Sequence, residues 1–93
     1  MTAQLNRSTI HDPREPVLHD LSPLRLADRQ VTLQLSMRRS EDGVWWGRLR
    51  FIDDGGREYE TAEIVRGASE EEFWQAVRGL SEHHVRALYL SLV

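Results

Sequence analysis

The sequence predicts an α+β domain, an antiparallel sheet packed on one face by carboxy-terminal helix. Three observations carry this expectation. Apolar and polar residues alternate strictly from Gln30 to Arg38, the pattern of a strand with one buried face. Two turn-forming clusters, Ser40-Glu41-Asp42-Gly43 and Asp53-Asp54-Gly55-Gly56-Arg57, divide residues 30–66 into three such segments. Ser69 followed by Glu70, Glu71 and Glu72 then opens an apolar stripe of helical spacing.

The first 24 residues are polar and hold all three prolines, Pro13, Pro16 and Pro23. Proline lacks the amide donor and biases its predecessor away from the helical region. Residues 1–15 are therefore expected to be a flexible arm and 16–29 an ordered but irregular lead-in, with Val17, Leu18, Leu21, Leu24 and Leu26 available to dock on the core. Residues 30–93 form the single domain.

Its first strand turns Val31, Leu33, Leu35 and Met37 to the core and Thr32, Gln34, Ser36 and Arg38 away from it. A second strand spans Val44 to Ile52 and a third Glu58 to Arg66, completing a three-stranded antiparallel meander. Successive side chains of a strand point to opposite faces, so parity sorts the second strand. Trp45, Gly47, Leu49 and Phe51 join the core, and Val44, Trp46, Arg48, Arg50 and Ile52 point outward. In the third strand Ala62 and Ile64 are assigned to the core, which leaves Tyr59, Thr61, Glu63 and Val65 outside.

Ser69 is a hydroxyl N-cap, and Glu72 stands at the capping-box spacing. Phe73, Val77 and Leu80 share a face at i, i+4 and i+7, with Trp74 beside them. The segment 82–92 is mostly apolar and fits either a helical stripe (Val85, Leu88, Tyr89, Leu92) or an alternating strand. Its Leu and Ala content favours helix, and Ser81 and Glu82 supply a cap.

At 93 residues, 40% hydrophobic and 29% charged, the chain has the composition of one small globular domain. It has no cysteine, which excludes disulfides, thiolate metal sites and a thiol nucleophile. No run approaches the ~20 apolar residues of a membrane helix, and residues 1–24 lack the basic flank and apolar stretch of a secretory signal; a cytoplasmic location is expected. All twelve cationic residues are Arg, a usage that points to a bacterial source and leaves no Lys nucleophile. Six Arg fall in residues 25–50 against Asp28, Glu41 and Asp42, a net charge of +3. Residues 51–82 hold three Arg against nine acids, a net charge of -6. This division suggests a dipolar molecule that steers a partner.

No catalytic frame emerges, and neither a metal nor an organic cofactor is implied. His83 and His84 are adjacent and point apart, so they do not share a metal as an i, i+4 pair does. His11-Asp12 and His19-Asp20 lie outside any rigid frame for a general base. Asp53 and Asp54 sit in a Gly-Gly turn, which Asp stabilises through its own backbone hydrogen bonds.

The outer sheet face is the informative feature. Aromatic rings beside guanidinium groups stack on bases and pair with phosphates, and the same groups anchor protein interfaces. Arg48 and Arg50 also have cross-strand carboxylates, Glu60 or Glu63, within reach of one register or another. The expected function is that of a small non-catalytic bacterial interaction module, an adaptor or regulator. It would bind a protein partner through Trp46, Arg48, Arg50, Tyr59 and Arg38; the alternative is nucleic-acid binding by the same face. The apolar segment Leu88, Tyr89, Leu90, Leu92 and Val93 exceeds what one small sheet face covers, so it is a candidate homodimer surface.

Overall fold

The computed structural model describes residues 15–93. In chain order its strands are β1 (Val17–Asp20), β2 (Leu24–Leu26), β3 (Arg29–Arg39), β4 (Trp45–Ile52), β5 (Glu58–Glu60) and β6 (Val65–Gly67), followed by helices α1 (Glu70–Arg78) and α2 (Glu82–Leu92). The flexible arm expected over 1–15 lies, apart from Glu15, outside the described residues.

The α+β class, the antiparallel sheet and the two carboxy-terminal helices are as the sequence predicts, but the sheet has 6 strands where a meander of three was expected. The additional strands arise in two ways. The segment read as an irregular lead-in forms β1 and β2, both antiparallel to β3, with Val17 opposite Met37 and Leu24 opposite Val31. Pro16 and Pro23 flank these strands without interrupting them, and on an edge a missing donor costs no ladder bond. Between the two strands, the Leu21 amide bonds the Leu33 carbonyl at 3.0 Å. The expected third strand is likewise broken into β5 and β6, both paired with β4.

The pairing with β4 reverses the predicted faces: it sets Tyr59 opposite Phe51, and the break inserts two residues and so keeps that parity. Arg50 stands opposite Glu60 and Gly47 opposite Val65, so Arg48 and Leu49 face the whole stretch Thr61–Ile64, a bulge. Thr61 and Val65 are buried while Ala62 and Ile64 are exposed, the reverse of the expected assignment. Inside the bulge the Thr61 hydroxyl takes the place of a strand carbonyl. It accepts from the Leu49 amide at 3.0 Å and donates to the Ala62 carbonyl at 2.7 Å.

Turns and caps form where expected. Gly43 and Gly56 adopt φ of +90° and +87°, which other residues rarely adopt. The Asp53 carboxylate accepts from the Gly55 and Arg57 amides at 2.9 Å each, so it is committed to its turn. Ser69 accepts from the Glu72 amide at 3.2 Å, and Glu72 reaches back to the Ala68 amide at 3.2 Å. Ser81 caps α2 through the His84 amide at 3.0 Å.

The segment 82–92 is helix. Both helices cover one sheet face, and their buried residues Phe73, Val85 and Tyr89 close a core floored by Val31, Leu33, Leu35, Met37, Leu49 and Phe51. Val77, Leu80, Leu88, Leu92 and Trp45 pack at its margin, as do Leu21 and Leu26. The seat of α1 depends on two missing side chains. A Cβ on Gly47 would lie 2.6 Å from the Phe73 ring, and one on Gly67 only 2.4 Å from the Phe73 backbone nitrogen.

Gly47→Ala should therefore cost about 1–3 kcal/mol, the range for overpacking a filled core. Gly67→Ala should cost more, because its obstacle is backbone and the helix itself must move. Thr61→Val should cost about 1–3 kcal/mol by leaving the Leu49 amide without an acceptor, and Thr61→Ser should restore most of it. Urea denaturation at constant m checks all four.

Candidate functional site

The outer face is built from the even-numbered residues of β3 and β4, which the pleat turns away from the helices. Register sets Arg38 opposite Trp46, Ser36 opposite Arg48, and Gln34 opposite Arg50. On the far side of β4, Trp46 faces Arg66, Arg50 faces Glu60, and Ile52 faces Glu58. Trp46, Arg48, Arg50 and Arg38 thus share one face, as the sequence predicts.

Tyr59 does not join them. It stands opposite Phe51 on the helix side, half-buried, with its ring edge-on to Tyr89 at 6.0 Å. Tyr89 also contacts Phe51 at 5.2 Å. The expected position was off by one residue in a period of two, which reverses the face, and Thr61 moves inward with it.

Every guanidinium of the face is already engaged. Arg38 grips Glu63 with two bonds, Nε to Oε2 at 2.6 Å and Nη2 to Oε1 at 2.8 Å. Arg48 lies 3.7 Å from Glu60 and 3.9 Å from Glu63, and Arg50 pairs with Glu58 at 2.6 Å. Arg66 lies over the Trp46 ring at 5.6 Å, while Arg39 covers Trp45 at 5.7 Å. The basic and acidic halves of the sequence therefore interleave across β4, and their charges cancel there instead of opposing each other end to end. Arg50 Nε is buried and, among the described residues, has no hydrogen-bond partner.

At the lip of the face, Asp42 is held below the ordinary carboxylate range by the Ser40 hydroxyl first and the Val44 amide second. The hydrogen bond from Arg38 depresses Glu63 in the same sense. A hollow of about 250 Å³ opens among Pro16, Ser36, Arg38, Arg48, Glu60 and Glu63. Two apolar side chains stand exposed by this surface, Leu18 of β1 at 47% and Ile64 of the bulge at 40%. Sequence reading turned both toward the core and did not assign Glu58 or Arg66 to the site. Leu18 was hidden by its prolines, and the others by a register to β4 that residues 58–66 alone do not reveal.

The other candidates separate from this face. Of the carboxy-terminal apolar segment, Leu88, Tyr89 and Leu92 go to the core, leaving Leu90 at 53% exposure and Val93 at 58%. The apolar surplus that suggested a dimer surface is largely absorbed. His83 and His84 are exposed at the start of α2, and His19 lies edge-on to Trp74 at 5.1 Å. Among the described residues no group of three or more His, Asp or Glu side chains is placed to hold a metal, and no helix is long and apolar enough to cross a membrane. His11 and Asp12 lie outside the described residues. Compared with known proteins, the chain matches no family model, no curated protein and no solved structure.

The Arg38–Glu63 pair gives a pH dependence of definite sign. Glu63 titrates lower in the folded chain than in the unfolded one, so its contribution is present above the ordinary value of 4.5 and is lost as pH falls below it. Glu63→Gln should flatten the loss of stability between about pH 5 and 3 by roughly 1 kcal/mol, the upper end for a half-exposed pair. Thermal denaturation across that pH range provides the check.

Proposed function

We propose that this chain is a small non-catalytic interaction module, an adaptor or regulator, that binds a protein partner through the outer sheet face. The carrying observation is that, among the described residues, the helices cover only one side of the sheet. The other side presents Trp46 within a lattice of paired Arg and Glu, flanked by exposed Leu18 and Ile64. Trp46, Arg38, Arg48 and Arg50 form the contact face; Tyr59, turned to Tyr89, belongs to the core and is replaced there by Arg66. An aromatic anchor ringed by fixed charges of both signs suits a protein surface of complementary pattern, where charge sets register and the buried ring supplies affinity.

The same geometry weighs against the nucleic-acid alternative. Binding phosphate releases counterions through free cations, whereas Arg38, Arg48 and Arg50 each have a carboxylate within ion-pair distance and Arg66 lies on Trp46. A phosphate backbone would have to displace Glu58, Glu60 and Glu63 first.

The joint substitution Trp46→Ala and Arg48→Ala should abolish capture of the partner while circular dichroism and the melting temperature stay near those of the parent. Undiminished capture by that variant overturns the assignment of the face. Labelled single- and double-stranded oligonucleotides, titrated at low salt and at about 0.2 M salt, should give no salt-sensitive anisotropy change; a steep salt-dependent one would establish the nucleic-acid reading instead.

A further inference from the structure

On the opposite side of the sheet, where α1 turns into α2, the helices leave a hollow of about 570 Å³ against the β1–β2 break. That volume is in the range of small-molecule sites. Buried Leu24, Leu33, Leu49 and Val85 lie beneath the hollow, and half-buried Leu21, Val77 and Leu80 supply its accessible apolar wall.

The rim has the opposite character. Arg25 of β2 and Arg78 of the last α1 turn both line the hollow, and among the described residues neither guanidinium has a carboxylate or ring partner. The acid of the rim, Glu82, is occupied by Arg86 at 3.5 Å. Arg86 also donates to the Arg25 carbonyl at 3.3 Å, tying α2 to β2 across the opening. Three arginines against one glutamate make a locally cationic mouth on a chain whose net charge is -3. Two unpaired cations placed over an apolar hollow match a ligand with an apolar tail and an anionic head.

We propose that this hollow binds a small aliphatic carboxylate, its chain against Leu21, Val77 and Leu80 and its carboxylate between Arg25 and Arg78. The site shares no residue with the outer sheet face, so it stands or falls independently of the partner-binding reading.

The test uses the full chain and sodium decanoate below its micellar concentration, followed by calorimetry and by methyl NMR of Leu, Val and Ile. Decanoate should bind at least tenfold more tightly than butyrate, which lacks the tail, or decyltrimethylammonium, which reverses the head. Methyl shifts should centre on Leu21, Val77 and Leu80. The double substitution Arg25→Gln and Arg78→Gln, both surface positions, should weaken decanoate at least tenfold with the melting temperature unchanged, and Val77→Phe should block the tail. Absence of binding up to about 1 mM decanoate, equal binding of the cationic analogue, or shifts centred elsewhere overturns the proposal.

Discussion

The seat of Phe73 on glycine governs the architecture. Helix α1 is short, and a helix of that length holds its place through tertiary packing, not intrinsic propensity. It reaches the sheet because Gly47 in β4 and Gly67 at the end of β6 carry no side chain where the Phe73 ring and backbone descend. The ring is wholly buried against Leu35 and its neighbours. Trp74, the next residue, turns edge-on to both Phe73 and His19, so the same helical turn also fastens β1 to the assembly. Apolar closure on this side occupies both helices, and among the described residues no element covers the far side of the sheet.

A sheet face built of charged side chains must solve a second problem, since rows of like charge across adjacent strands repel. Here the strands that follow the second turn bring Glu58, Glu60 and Glu63 to the arginines of β3 and β4. The charges cancel locally, so on the proposed reading geometry and the Trp46 ring are left to discriminate among partners. Because such pairs hold their side chains in fixed orientations, less ordering entropy remains to oppose docking. The helix-side mouth has the contrary arrangement, free cations over an apolar hollow, and the two faces are suited to ligands of different chemistry.

How legible this was depends on the length of each signal. Residues 31–37 and 45–51 alternate over many positions, so their faces and their pairing were readable, and with them Trp46, Arg48, Arg50 and Arg38. Ser69 with Glu72, and Ser81 ahead of Val85, announced both helices by capping chemistry. β1 and β2 were not readable, because they are short and flanked by Pro16 and Pro23, and what makes them strands is the unpaired edge of β3 beside them. Tyr59 was misplaced because Ala62 and Ile64 look like core residues; the pairing that turns Thr61 and Val65 inward is a property of β4. Nothing local to 58–66 shows that Thr61 uses its hydroxyl in the ladder.

The bulge at Thr61–Ile64 explains why the outer site and the core can coexist. If the β5 register, Arg50 opposite Glu60, continued unbroken, Gly47 would stand opposite Glu63. A carboxylate would then point to the helix side beneath Phe73, and a buried charge without a partner is among the costliest features a small domain can carry. The bulge instead places Val65 opposite Gly47, sends Gly67 inward under α1, and sets Arg66 against Trp46. Glu63, released from the ladder, swings to the outer face, where Arg38 holds it with two hydrogen bonds and Arg48 lies within 3.9 Å. One local irregularity thus supplies the apolar seat for the helix and the central carboxylate of the opposite face. The Thr61 hydroxyl, by accepting the Leu49 amide, removes the hydrogen-bond penalty that the irregularity would otherwise carry.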